Sequence, residues 1–142
     1  MVGTSGAILI SRDNGLTWNS KTSCTSNTLN SITFGNNAFI AVGDSGTIIV
    51  SRDIGLTWNS KISGTSNSLN AIAFENNAFI AVGASGTILI SRDIGLTWNS
   101  KISGTSNTLT EIFLTNNNNF IAAGYAATIL ISTNIGRTWY FT

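Results

Sequence analysis

Three aspartates recur in one setting. Asp13, Asp53 and Asp93 each follow a Ser by two residues, precede a Gly by two, and lead into Thr-Trp. A carboxylate so close to a glycine suits turn chemistry, in which it accepts hydrogen bonds from backbone N–H groups of its own turn. The glycines Gly15, Gly55 and Gly95 supply a position where φ is positive at low cost. Calcium ligation is the alternative for these carboxylates. It needs six to eight oxygens, whereas each turn offers one carboxylate and no EF-hand spacing. Other reactive groups are few. There is no His and a single Cys, Cys24, which excludes an intrachain disulfide, a multi-Cys zinc site and the commonest general base. Glu75 and Glu111 occupy unrelated positions, and Asp44 is the one aspartate outside the recurring setting, so a glycosidase carboxylate pair is hard to assemble. Lys21, Lys61 and Lys101 fall at one repeated position before Ser, Thr and Asn-rich segments. They read as a solvated rim or a weak anion site.

The elements that position these residues follow from the repeat. Ser11–Trp18 returns as Ser51–Trp58, Ser91–Trp98 and Ser132–Trp139, at spacings of 40, 40 and 41 residues. The extra residue lies in Asn116-Asn117-Asn118-Asn119, which stands where Asn76-Asn77-Ala78 stands one unit earlier. Within a unit, Leu69–Phe74, Ala78–Val82, Thr87–Ser91 and Thr97–Lys101 read as short strands separated by Glu75-Asn76-Asn77, Gly83–Gly86 and Asp93-Ile94-Gly95 turns. Such runs are too short for helices, which excludes a helical solenoid. Four strands in about 40 residues form the module of a β-propeller blade; a parallel β-helix has shorter coils without this strand count.

The octet Ser-x-Asp-x-Gly-x-Thr-Trp resembles the Asp-box, or BNR repeat, of sialidases and related propellers. Phe79–Ser91, leading into the third octet, resembles the photosystem II stability/assembly-factor-like propellers. The resemblance implies an all-β β-propeller of four-stranded antiparallel blades. It assigns Asp13, Gly15, Trp18, Asp53, Gly55, Trp58, Asp93, Gly95, Trp98, Asn134, Gly136 and Trp139 to structural boxes. The tryptophans are expected to wedge between neighbouring sheets. In the fourth box Asn134 replaces the acid, Thr133 replaces Arg, and Arg137 replaces Leu, the relaxed pattern of an end repeat. The resemblance also raises sialidase activity, with its arginine cluster and Tyr–Glu pair. All four arginines of this chain lie in boxes, so no enzyme activity is expected.

The chain has 142 residues, 42% hydrophobic and 9% charged, with a net charge of +1. That size fits one domain, and so small a positive field argues against nucleic-acid binding. No apolar run reaches the roughly 18 to 20 residues of a membrane span, and the first residues carry no signal-peptide pattern. No cofactor or metal is expected. The domain divides into a half blade over about 1–28 and blades over about 29–68, 69–108 and 109–142. Three and a half blades cannot close a ring, and an open arc leaves strand edges and apolar faces in water. Self-association is therefore expected, with a homodimer favoured and about seven blades in one ring. The expected role is a scaffold or binding module for a protein partner; the alternative is a lectin-like glycan binder. Candidate ligand-face residues are Lys21, Asp44, Lys61, Lys101 and Tyr125. Asp44 and Tyr125 belong to the series Thr4, Asp44, Ala84, Tyr125, which varies among otherwise near-identical units. Cys24 stands where Gly64 and Gly104 stand in later units, an incidental thiol.

Overall fold

Short, mostly apolar runs such as Ala38–Gly43 and Ile48–Ser51, broken by Asn-Asn and Gly-rich turns, produce fourteen strands among the described residues of the computed structural model, which are 1–115, 117 and 119–142. The Asn116–Asn119 insertion thus lies partly outside the described residues. In chain order the strands are β1 (Ile8–Ile10), β2 (Asn19–Lys21), β3 (Leu29–Gly35), β4 (Ala38–Gly43), β5 (Ile48–Ser51), β6 (Asn59–Lys61) and β7 (Leu69–Glu75). They continue as β8 (Ala78–Gly83), β9 (Ile88–Ser91), β10 (Asn99–Lys101), β11 (Leu109–Leu114), β12 (Phe120–Gly124), β13 (Ile129–Ser132) and β14 (Tyr140–Phe141).

Every pairing is antiparallel between sequence neighbours. The sheets are β1-β2, β3-β4-β5-β6, β7-β8-β9-β10 and β11-β12-β13-β14. The chain is therefore a part-ring of three four-stranded blades and the outer half of a fourth. The β3–β4 and β7–β8 hairpins turn on Asn36-Asn37 and Asn76-Asn77, with φ of +47° and +60°, and of +48° and +61°. Both central residues are left-handed, as the twist of a two-residue hairpin requires, and Asn tolerates that conformation well.

Packing is between blades. One cluster joins the half blade to the second blade through Ile8, Leu29, Ala41, Ile49 and Trp58. The next joins Ile40, Val42 and Val50 to Leu69, Phe79 and Leu89. A third joins Ile80, Val82 and Ile90 to Leu109, Phe120 and Trp139. The same positions serve at each junction, one repeat apart. Among the described residues no helix is long and apolar enough to cross a membrane.

The outermost strands are shorter than the sequence suggests. Thr97 and Trp98 read as part of a strand, but β10 begins at Asn99. The Thr97 amide and hydroxyl donate to Asp93 instead, and Trp98 packs against the adjoining core.

Candidate functional site

The octets sit at one edge of each blade, between its third and fourth strands, and form a closed hydrogen-bond circuit. In the second, Ser51 Oγ donates to Asp53 Oδ1 at 2.8 Å and accepts from the Gly55 amide at 2.8 Å. The Thr57 amide donates to Asp53 Oδ1 at 2.9 Å, and the Thr57 hydroxyl donates to Oδ2. The Trp58 indole N–H donates to the Gly55 carbonyl at 3.2 Å. Gly55 is left-handed, with φ of +79°. A Cβ there would meet the Ile10 side chain, so glycine is needed for both backbone and space.

This circuit sets the carboxylate chemistry. Hydrogen bonds from the Thr57 hydroxyl and amide, then from Ser51, lower the Asp53 carboxyl from 3.8 to about 2. Thr17 and Ser11 do the same to Asp13, again to about 2. At Asp93 burial acts to raise the value, and hydrogen bonds from Thr97 and Ser91 outweigh it, leaving about 2. In the fourth octet Asn134 Oδ1 accepts from the Thr138 amide at 2.9 Å, while its Nδ2 donates to the Thr138 hydroxyl at 2.7 Å. The Asn thus keeps the circuit by reversing one donor. Among the described residues there is no group of three or more His, Cys, Asp or Glu able to hold a metal.

The tryptophans differ by junction. Trp58 and Trp139 are each 7% exposed, packed on the preceding blade, whereas Trp18, on the half blade, is 46% exposed. Trp98 is half-buried, and among the described residues its indole N–H has no acceptor.

The opposite edge gathers the candidate ligand-face residues. Lys61 pairs with Ile48, next to the short Asp44–Gly46 turn, so lysine and turn share one edge of the blade. Lys21 pairs with Ile8 and Lys101 with Ile88 in the same register. Two open grooves lie along this edge. One, of about 410 Å³, is rimmed by Lys61, Ile62 and Ser63 and reaches Cys24 and Thr25. The other, of about 600 Å³, repeats it one blade on with Lys101, Ile102 and Ser103. Lys61 and Lys101 also line smaller pockets on their outer strands beside Arg52 and Asp53, and Arg92 and Asp93. Lys21 lines neither groove. Asp44 stands apart, its Oδ1 accepting from Asn30 Nδ2 at 3.0 Å, and Tyr125 is exposed at the corresponding turn of the last blade. Cys24 is an exposed free thiol. Its backbone is not left-handed, unlike Gly64 and Gly104 at φ of +78° and +77°.

Two sets of ties between blades escape sequence reading. Arg52 Nη2 donates to the Ile94 carbonyl at 2.8 Å, and Arg92 Nη2 to the Ile135 carbonyl at 2.7 Å. On the inner strands Asn30 Nδ2 donates to the Leu69 carbonyl at 3.0 Å and Asn70 Nδ2 to the Leu109 carbonyl at 2.8 Å. Arg52 and Arg92 are therefore straps to the next blade. Their signal in the sequence is the loss at the last blade, where Thr133 replaces the Arg and Thr110 replaces the Asn.

No family model and no curated protein matches the chain. Solved structures do match. YCF48 bound to D1 peptide superposes with a TM-score of 0.77 at 19% identity, covering 99% of this chain and 47% of that one. YCF48 from Cyanidioschyzon merolae gives 0.72 at 20%, covering 99% of this chain and 50% of that one. Trypanosoma rangeli sialidase in complex with sialic acid gives 0.48 at 15%, over 100% of this chain and 34% of that one. The chain spans about half the length of the two YCF48 structures. With its own sheets and registers, that likeness makes the architecture of this chain a partial β-propeller.

Proposed function

We propose that the chain is a binding scaffold without catalytic chemistry, an arc of propeller blades whose lysine-rimmed edge holds a polypeptide partner. The observation that carries this reading is the recurrence of one groove on successive blades, each with a lysine, an isoleucine and hydroxyls on its rim. Ile62 and Ile102 are each 89% exposed. An isoleucine held in water beside a cation, at a fixed repeat, suits a ligand that presents apolar and acidic groups in register. One solved propeller of similar architecture carries a bound peptide, which supports a polypeptide ligand. Glu75 ends β7 and Glu111 is the third residue of β11, on different blades and at unrelated positions, which supports the non-catalytic reading.

The test is a peptide array probed with the intact chain, beside a glycan array. Expected are acidic, apolar peptide hits that weaken about tenfold in the Lys61→Ser, Lys101→Ser double variant and weaken further with salt. A blank peptide array, with glycan hits lost in Tyr125→Ala, would establish the lectin reading instead.

Self-association belongs to the same proposal, with one change to the arithmetic of the ring. Each half blade consists of outer strands only, so two halves do not add up to one blade. Each chain occupies four blade positions and two chains eight, of which two lack inner strands. Exposed apolar side chains at both ends of the arc support association: Leu16 and Trp18 at one, Phe113, Ile129 and Tyr140 at the other.

A further inference from the structure

Each lysine-bearing outer strand separates a groove on one of its faces from a pocket on the other. In β6, Ser60 lies opposite Ile49, whose side chain packs with Ile8 and Leu29, so that face looks toward the preceding blade. The groove of Ile62 opens there and reaches Cys24 and Thr25. Asn59 and Lys61 lie opposite Val50 and Ile48, which pack on the following blade, so they share the other face. On that face a pocket of about 200 Å³ is lined by Val50, Arg52, Asp53, Thr57, Asn59 and Lys61. β10 repeats both features. The Ile102 groove reaches Gly64 and Thr65 of the preceding unit, and a pocket of about 220 Å³ is lined by the matching six residues, Arg92, Asn99 and Lys101 among them. Around the arc the order is therefore groove, pocket, groove, pocket.

The pockets are rich in donors and short of acceptors. Arg52 spends Nη2 on the Ile94 carbonyl, which leaves the other N–H groups of a five-donor fork. Lys61 adds three donors and the Asn59 amide two. Arg52 and Asn59 are exposed and Lys61 is half-buried, so solvent reaches the set. Asp53 is the one acid in the pocket, and its oxygens already accept from Ser51 and from the amide and hydroxyl of Thr57. Two cations thus share a pocket with one carboxylate that is committed to its own turn. The strap to Ile94 also holds the guanidinium in place before any ligand arrives, which lowers the ordering cost of binding. In the last blade Thr133, Tyr140 and Thr142 stand where Arg92, Asn99 and Lys101 stand one unit earlier, and the donor set is lost.

We propose that the Arg52 and Arg92 pockets each seat a carboxylate of the partner, and that the partner is an extended segment crossing the outer strands of successive blades. This rests on the polypeptide reading above and adds to it the residues that hold the acid and the order of the contacts. Apolar side chains enter the grooves beside Ile62 and Ile102, and acidic ones enter the pockets, in alternation. The two isoleucines, each 89% exposed, favour a polypeptide over an acidic polysaccharide, which brings no aliphatic side chain to cover them. The spacing of the acids follows from the blades. Inner strands of successive blades pack on one another, and blades set radially diverge toward their outer strands. Packed sheets lie about 10 Å apart and an extended chain advances about 3.3 Å per residue, so acids on successive blades are at least about four residues apart. Once one pair is seated, the second binds from within the complex.

The probes are synthetic peptides carrying one or two isoleucine–glutamate pairs, the two pairs joined by Gly-Ser linkers of graded length, titrated calorimetrically into the intact chain. The two-pair peptide is expected to bind about tenfold or more tightly than the one-pair peptide, with the gain lost when the linker is too short to span two blades. Asn59→Leu with Asn99→Leu keeps both lysines and the net charge, and is expected to weaken the two-pair peptide about tenfold. A second readout needs no variant: in the unsubstituted protein the Arg52 and Arg92 Nε–H resonances shift with the glutamate peptide and not with its glutamine counterpart. Equal binding of the glutamine peptide overturns the proposal. So does binding that falls in Lys61→Ser, Lys101→Ser but is unmoved in the asparagine double variant and leaves the arginine resonances in place; the polypeptide reading then stands without these pockets. Equal binding of a peptide lacking isoleucine, displaced by dextran sulfate, shows a site for polyanions at large and overturns it too. If no peptide binds, the polypeptide reading falls and the proposal with it.

Discussion

Ile54, Ile94 and Ile135 hold left-handed backbone, each with φ of +59°, immediately before the octet glycine. A β-branched residue is costly in that region, whereas Asn14 at the same place in the first octet tolerates it. Ile94 and Ile135 pack against the cores and recover part of the cost, but Ile54 is 60% exposed. Ile54→Asn is expected to stabilise the chain by about 1 kcal/mol, raising Tm by about 3 °C, read in thermal and urea unfolding. The octet carboxylates make a second prediction. Their folded pKa values, about 2, lie below the ordinary 3.8, so the unfolded chain binds protons first as the pH falls. The stability they confer is full above 3.8, declines through the window from 3.8 to about 2, and is gone below it. Asp53→Asn and Asp93→Asn, which copy the fourth octet, should flatten the stability–pH curve in that window; an unchanged slope in both would show that the carboxylates do not govern it.

The arginine and asparagine straps are the elements' own connection, because they join units that share no strand pairing. Removing one leaves a backbone carbonyl to solvent and loses one hydrogen bond, so Arg92→Ala should cost about 1 kcal/mol. Thr133→Arg, on the last described blade, where the structure shows no such tie, should change stability by less than about 0.5 kcal/mol. Urea unfolding of both variants checks the pair. The strands and turns themselves were legible from the sequence: the Asn-Asn hairpins, the octets and the four-strand unit all follow from local pattern. The shortening of β10 was not, since Thr97 and Trp98 have strand character and are drawn into the turn by Asp93 and the adjoining core. The straps were not legible either. They link residues about 40 apart in sequence, and local pattern carries no record of which carbonyl a guanidinium will reach.

At the scale of the molecule the accessible surface is 7234 Å², close to the roughly 7,000 Å² that size scaling gives for a folded monomer of this mass. The arc therefore buries its own sheets well; exposed apolar side chains lie at the two ends and, as Ile62 and Ile102, along the lysine-rimmed edge. The last blade's open face differs from the others: Glu111, Phe113 and Tyr140 stand where Ala71, Ala73 and Asn99 stand one blade earlier, and no strap leaves it. A contact there rests on apolar packing, so Phe113→Ser should weaken association without unfolding the chain. The candidate edge was legible as a lysine series, but its grooves were not, because they form between the loops of successive blades. The most direct test of an arc that associates through its ends is solution mass, by light scattering behind a sizing column over a range of concentrations. The account predicts a mass near twice 15.0 kDa that falls toward 15.0 kDa in Phe113→Ser. A mass of 15.0 kDa at every concentration would contradict it.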